Sequence, residues 1–516
     1  MHSFVLQGIE PTLCEIEIDL SNQGLPRTTI VGLPDAAVRE ATERVRTAIL
    51  NSGYRYPANR VTINLAPADL RKEGPVYDLA IATALLIADG TITKKAVPLA
   101  SNETTCIAPE IQPVPDQYLF AGELALDGRV RSINGAVGLS LLARQQGFRG
   151  VIVPHINANE AALVHDIDVI PVEHLEDVVA IFNETVSLNC HPKIDLQSVL
   201  SQEQPEVDFA QIRGQEPAKR AMTIAAAGGH NILMLGPPGT GKTLMAKALP
   251  GILPPLTSDE ALEVTRIYSS TGSLTHDRPV ILKRPVRAPH HTASAPAIVG
   301  GGPIPRPGDV SLAHHGVLFL DEMPEFSRDV LETLRQPLED GYVTIARAQG
   351  TIRFPARFML VAAINPTIDG YHTAGGLSTV TRRKISGPIV DRIDVHVEVP
   401  EVPISDLIST RTGTSSQQLK KQVQQAWVFQ HKRQGQVRNS YLSGPQLDKM
   451  AVIDGDGQEL LHQSVTSLGL SARGYDKLRR LGRTIADMES SSVVRAHHIA
   501  EAVQYRLLDR GAASVR

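Results

Sequence analysis

The sequence predicts an α/β protein in three parts: an α+β domain over residues 1–180, a P-loop α/β core over 208–402, and a helical lid domain over 403–516, with a polar linker at 181–207. Three observations carry this reading. NILMLGPPGTGKTLMAKAL (231–249) sets a glycine-rich loop between an apolar run and a helix-forming segment. GVLFLDE (316–322) reads as a buried parallel strand ending in two acids. Residues before 180 alternate strand and helix patterns, whereas those after about 403 are mostly helical. A chain of 516 residues is also too long for one core, and at roughly 100–200 residues per domain it divides into about three.

In the first domain, CEIEIDL (14–20) and RVTINLA (60–66) alternate apolar with polar residues, as half-buried strands do. Between them, PDAAVREATERVRTAILNSG puts Ala37, Ala41, Val45 and Ala48 on one helical face, and Gly53 closes that helix. In LAPADLRKEGPVYDLAIATALL (65–86) a glycine-proline turn leads into an apolar helix. GRVRSING and GVIVP continue the alternation, and EHLEDVVAIF reads as the helix that finishes the domain. The linker is polar and aperiodic. In the last domain QQLKKQVQQAWVFQHK carries Leu419, Val423 and Trp427 at a spacing of four.

The formal net charge of −4 excludes a globally basic nucleic-acid binder but leaves room for a local basic groove, because clustered charges set the steering field. Cys14, Cys106 and Cys190 are odd in number and far apart, which argues against a disulfide framework or a CxxC metal site and favours a reducing compartment. MHSFVLQGIEP lacks the pattern of a secretory signal. The apolar run LAIATALLIA (79–88) is about half of the ~20 residues that a membrane-spanning helix requires. The expected location is cytoplasmic, with no membrane partner.

The loop Gly236, Pro237, Pro238, Gly239, Thr240, Gly241, Lys242, Thr243 fits GxxxxGK[ST] in its required strand-loop-helix context. Small residues let backbone N–H groups approach phosphate oxygens, and the helix start adds partial positive charge. Lys242 is expected to reach the β- and γ-phosphates of ATP, and Thr243 to place its hydroxyl on Mg²⁺. Asp321 suits Mg²⁺ coordination and Glu322 suits the base that polarises an attacking water; as a bland alternative, two acids at a strand end cap the next helix. In RFMLVAAINP (357–366), Asn365 is placed to hold the lytic water, or is simply a turn former before Pro366. Arg392, between two aspartates in SGPIVDRIDVHVEVP, is on its own as readily a surface ion pair. In a ring of subunits such an arginine completes the neighbour's site, an effect worth on the order of 10³-fold in rate.

GPPGTGKT, VLFLDE, AAIN, GPIVDRIDVHVEV and SARGYDKLRRLGRTIAD (471–487) together resemble the AAA+ ATPases of the magnesium-chelatase branch. More narrowly, the chain resembles the ComM/YifB group over nearly its whole length, through LSNQGLPRTTIVGLPDAAVREATERVRTAILNSG, NLAPADLRKEGP, AGELALDGRVRSINGA, RAPHHTASAPAIVGGG and LRQPLEDGYVTIARA. The resemblance implies a homo-hexameric, ATP- and Mg²⁺-dependent motor. It implies DNA, single-stranded or branched, as the object moved, in branch migration during natural transformation and with recombination proteins as partners. Arg392 would be the arginine finger and Arg473 the second sensor on the helical lid; the alternative for Arg473 is a solvated helix residue. Many YifB-type relatives carry a cysteine cluster after the sensor strand. Here NPTIDGYHTAGGLSTVTRRKISGP has none, so no zinc site is expected.

Two basic stretches are candidate DNA contacts: ILKRPVRAPHH (281–291) with Lys283, Arg284 and Arg287, and GYVTIARAQGTIRFPAR (341–357), read as a hairpin bearing Arg347 and Arg353. Arginines there would track phosphates without sequence preference, or else protect strand edges. The pairs His290-His291 and His314-His315 suggest metal binding, but adjacent residues on a strand face opposite ways, so such pairs chelate poorly and no metal site is expected there. One rival function is a chelatase-like AAA+ remodelling ATPase acting on a protein partner in metal insertion. Another is an ATP-dependent protease, because the first domain resembles Lon-type proteases with a ribosomal protein S5 domain 2-like fold. That chemistry needs a serine and a lysine where this sequence, aligned through GPVYD (74–78) and NGAV (134–137), has Val76 and Val137. The turn then persists as scaffold for packing subunits or guiding DNA, with Arg71 and Lys72 beside it as contacts.

Overall fold

β1 (His2–Gln7) and β2 (Glu10–Ser21) pair antiparallel around Gly8, whose φ of 65° makes the tight reversal accessible. β3 (Arg27–Val31) runs parallel to β4 (Arg60–Ala66), which pairs antiparallel with β2. In β4 the expected alternation holds, since Val61, Ile63 and Leu65 are buried. β5 (Tyr118–Phe120), β8 (Gly150–Pro154) and β9 (Asp168–Val172) extend the sheet in parallel to the order β3-β4-β2-β1-β5-β8-β9, while β6 (Glu123–Leu124) and β7 (Val130–Arg131) form a separate ribbon. In this computed structural model the described residues are 1–23, 25–93, 114–186, 189–197, 207–302, 305–347, 350–365, 387–403, 413–506 and 508.

The helix Ala36–Asn51 starts where the Asp35 side chain accepts from the Val38 amide, and it buries Val38, Ala41, Val45 and Ala48. Ala37 is half-buried, so the apolar stripe starts one residue later than its spacing suggested. The helix Asp78–Ala88 is buried from Asp78 to Leu86, which explains why it has no polar face. Asp78 is satisfied there by Arg44 Nε at 2.9 Å and by the Leu124 amide at 3.3 Å. Burial pushes its carboxyl up to about 6, against the opposing pull of Arg44. Lys72, expected at the surface, is buried, with its ammonium donating to the Pro67 carbonyl, so it is a scaffold residue. Val76 packs half-buried against the core and Val137 is fully buried.

Contacts divide the chain into two compact units, Met1–Val199 with Ser258–Ile281, and Leu200–Thr257 with Leu282–Arg516. The sequence boundaries put 258–281 in the nucleotide core, but its helix Ser258–Ser270 packs within the first unit. There the Ser269 carbonyl accepts from Gly135, its hydroxyl donates to Glu160, and Arg266 pairs with Glu10 at 3.2 Å.

In the second unit, β10 (Ile232–Leu235), β11 (Val286–Arg287), β14 (Val317–Leu320), β17 (Met359–Ile364) and β18 (Val395–Glu398) form a parallel sheet ordered β11-β14-β17-β10-β18. β12 (Gly300–Gly301) with β13 (Arg306–Pro307), and β15 (Tyr342–Arg347) with β16 (Gly350–Pro355), are two antiparallel ribbons outside it. The latter confirms the hairpin read around AQG. The helices Ser416–Gln434, Gly455–Leu468, Ala472–Met488 and Ala496–Gln504 make the helical part. Its first helix buries Leu419, Val423, Ala426 and Gln430, while Trp427 is half-buried and stacks on His431. Fully buried Asp487 gathers Arg433 at 2.6 Å, Arg483 at 2.8 Å and Asn439 Nδ2 at 2.8 Å. No helix among the described residues is long and apolar enough to cross a membrane.

Candidate nucleotide site

The site grows from the carboxyl ends of three adjacent parallel strands, β14, β17 and β10. A Cβ at Gly236 would lie 2.0 Å from the Val399 carbonyl oxygen, so only glycine lets the loop leave β10 here. Gly239 and Gly241 take φ of 81° and 91°, and no atom stands within 4 Å of where a Cβ on either would sit. That leaves an open cradle of backbone, as phosphate oxygens require. Pro237 holds one wall: its carbonyl accepts from the Thr240 hydroxyl at 3.0 Å and from Lys242 Nζ at 2.7 Å. Lys242 also donates to the Gly236 carbonyl at 2.8 Å. Burial pulls its pKa down, and the charges of Asp321 and Glu322 pull the other way.

The helix Lys242–Ala248 begins at the end of the loop, and the Thr243 hydroxyl donates to Asp321 Oδ2 at 2.8 Å. A hydroxyl and a carboxylate at this separation are oxygen donors of the kind Mg²⁺ takes. Glu322 follows with φ 50° and ψ 47°, a left-handed conformation uncommon for a residue with a side chain. Its amide donates to Asp321 Oδ1 at 3.0 Å, and its Oε1 accepts from Asn365 Nδ2 at 3.2 Å. The structure thus brings together Lys242, Thr243, Asp321, Glu322 and Asn365. The reading of the two acids as mere helix caps loses support, since neither side chain caps the turn Met323–Glu325. His291, which the sequence raised only as half of a poor chelating pair, stands with Nδ1 3.8 Å from Glu322 Oε2.

Arg392 and Arg473 come together on one carboxylate, Glu339, and bond to none of the five residues above. The basic candidates separate by burial. Arg284 is buried and donates to the carbonyls of Pro254, Pro255 and His315, at 2.6 to 3.0 Å. It is a clamp within the fold and is withdrawn as a DNA contact. Arg287 is engaged by Asp309 at 2.6 Å, which reads as an ion pair. Lys283 and Arg353 are exposed, and the Arg353 guanidinium lies 5.0 Å from the Tyr342 ring centre. The side chain of Arg347 and the cysteine-free stretch 366–386 lie outside the described residues. Arg306, on no motif of the sequence, is exposed on β13.

The histidine pairs stand in turns rather than on strands, with ring centres 4.1 Å apart at His290-His291 and 4.0 Å at His314-His315. A third pair, His497-His498, meets Glu489, but His498 Nδ1 accepts the Arg495 amide, so its Nε2 carries the proton towards Glu489. That arrangement is a clasp at a helix start.

Family models match the chain in succession: Subunit ChlI of Mg-chelatase over residues 16–157, Magnesium chelatase, subunit ChlI over 208–407, and Magnesium chelatase, subunit ChlI C-terminal over 413–506. The chain is 41% identical to the competence protein ComM of Haemophilus influenzae, with 99% of this chain and 97% of that protein aligned. It is 40% identical to YifB of Escherichia coli over the same shares. The magnesium-chelatase 38 kDa subunit of Rhodobacter capsulatus is 30% identical over 181 residues, 31% of this chain and 51% of that protein. With its nucleotide-site geometry and its likeness to ComM and YifB over 99% of its length, the chain belongs to the ComM/YifB family of magnesium-chelatase-like AAA+ ATPases.

Proposed function

We propose that this ATPase is a hexameric DNA motor that drives branch migration of recombination intermediates, as in natural transformation. In this reading, the backbone amides of Gly239, Thr240 and Gly241 and the Lys242 ammonium bind the ATP phosphates, while Thr243 and Asp321 would hold Mg²⁺. A Mg²⁺ held by these two residues would supply charge neutralisation to the phosphates. Glu322 accepts the proton of the attacking water, and Asn365 keeps the Glu322 carboxylate and that water aligned. Arg392 and Arg473 supply positive charge to phosphates at a subunit boundary.

The observation that carries the reading is the place of the β15–β16 hairpin. It is inserted between β14 and β17, the strands whose ends carry Glu322 and Asn365, and it exposes Arg353. Ile345 on β15 lies against Gly300 on β12, so the ribbon bearing Arg306 packs on the same hairpin. The chain that joins Glu322 to Asn365 thus also carries an exposed arginine, which suits a phosphate backbone. Similarity to a competence protein over 99% of the chain supports DNA as the object moved.

The chelatase-like reading draws on the alignment with the 38 kDa subunit. The first domain does not separate the two, because the model it matches also carries the chelatase subunit's name. Steady-state ATPase rates with single-stranded DNA, with a branched junction, and with a chelatase partner subunit separate them. Stimulation by DNA alone is expected; stimulation by the chelatase partner alone would reverse the assignment.

A further inference from the structure

We infer that Glu339 is a positioning residue that holds Arg392 and Arg473 together as one cationic pair, so that the two guanidinium groups act on nucleotide phosphates as a unit. This rests on the reading of both arginines as phosphate-directed.

Each carboxylate oxygen serves one arginine: Oε2 accepts from Arg392 Nη2, and Oε1 from Arg473 Nη2 at 3.1 Å. Two guanidinium groups this close repel each other, and a carboxylate between them offsets that repulsion. The Arg392 hydrogen bond, opposed by partial burial and helped by the charges of Arg392 and Arg473, keeps the Glu339 carboxyl below its ordinary range. Arg473 remains 61% exposed, so most of its N–H groups stay open to an oxyanion.

All three side chains spring from fixed backbone. Glu339 lies on the helix Arg335–Asp340, closed by Gly341 at φ 73°, whose amide donates to Pro337 and whose carbonyl accepts from Ala356. A Cβ at Gly341 would stand 2.8 Å from Arg357 Cγ, which pins this turn against the following strand. On the other side, Lys477 lies one turn beyond Arg473 on the helix Ala472–Met488. It is buried, and its ammonium donates to the carbonyls of Asp391 and Ile393, the residues that flank Arg392. The helix that carries Arg473 is therefore registered on the segment that carries Arg392, and Glu339 closes the triangle. A surface ion pair formed by chance would need neither the shared carboxylate nor the buried lysine.

The test is a mutant cycle in the full chain, reading kcat and KM for ATP, mant-ATP affinity and thermal stability. Glu339→Ala is expected to lower kcat about 10-fold or more while KM changes less than about 3-fold, the pattern of a group acting in the transition state. Added to Arg392→Ala/Arg473→Ala, it is expected to cause no further loss, because coupled residues are non-additive. If Glu339→Ala fails to fold, the isosteric Glu339→Gln carries the same comparison. Wild-type kcat in the Glu339 variants, or a further proportional loss on the double-arginine background, would overturn the positioning role alone. Unchanged kcat in both single arginine variants would overturn the phosphate-directed reading and this inference with it.

Discussion

The Thr243 hydroxyl donates to Asp321 Oδ2 across 2.8 Å, joining two residues 78 positions apart in the chain. The bond ties the first turn of the P-loop helix to the end of β14 and sets two oxygen donors side by side. Asp321→Ala is therefore expected to lower ATP turnover by at least about 10²-fold, the scale set by loss of a charge-stabilising group. Titrating Mg²⁺ against fluorescent-nucleotide binding checks the cause: the variant should lose most of the Mg²⁺ dependence.

Glu322 and Asn365 share a hydrogen bond, so their variants should look alike in kind and differ in degree. Glu322→Gln is expected to bind ATP normally and to hydrolyse it about 10²- to 10⁴-fold more slowly, the span of a lost general base. Asn365→Ala, which leaves the base present but unaligned, should fall less. Single-turnover kinetics separates both from a binding defect; a Glu322→Gln enzyme with wild-type turnover would remove Glu322 from the chemistry.

Asp487 tests the helical part. It is fully buried and holds Arg433 and Arg483, so Asp487→Ala leaves two cations without their partner. Breaking such a buried cluster costs about 3–5 kcal/mol, visible as a lower denaturant midpoint for the second unit. Asp394, by contrast, is an acid-range marker. Burial raises its pKa, but the His230 hydrogen bond and the charges of Lys477 and Arg480 outweigh burial and hold it at about 2. Its stabilising contribution is present above the unfolded value of 3.8 and is lost as pH falls through about 2.

Asp78 acts with the opposite sign. Its folded value of about 6 lies above the unfolded 3.8, so the folded state holds the proton more tightly. The associated stability is full below pH 3.8 and is lost as pH rises through about 6. Asp78→Asn should therefore flatten the pH dependence of the first unit in that window, by about 1–3 kcal/mol at most. Denaturant melts at pH 4.5 and 7 check it; parallel shifts of wild type and variant would contradict it.

The basic residues should divide as burial divides them. Arg353→Ala is expected to weaken DNA binding and to reduce the slope of log affinity against log salt by about one unit or less. Arg284→Ala should instead lower thermal stability, because three carbonyls lose their donor. Fluorescence-anisotropy titrations across a salt series, with melting curves beside them, distinguish these outcomes.

The nucleotide site was legible because each part is a local pattern at a strand end: GPPGTGKT after β10, Asp321-Glu322 after β14, Asn365 after β17. The parallel sheet then brings these ends together without further instruction. Arg284 and Lys72 were misread for one reason. A cation in a polar stretch looks solvated unless one knows which backbone carbonyls converge on it, and these come from Pro254, Pro255, His315 and Pro67, set by loop geometry rather than by spacing. The helix Ser258–Ser270 was assigned by chain position, whereas its packing depends on Glu160 and Gly135, far away in sequence. Glu339 stands in the segment LRQPLEDGYVTIARA, but nothing local marks a glutamate as the partner of two distant arginines.

The most direct measurement is migration of a labelled three- or four-stranded DNA junction by the purified protein, with and without ATP. ATP-dependent migration is expected of the wild type, and none of Lys242→Ala or Glu322→Gln. A wild-type protein that hydrolyses ATP yet leaves the junction in place would contradict the assignment as a DNA motor.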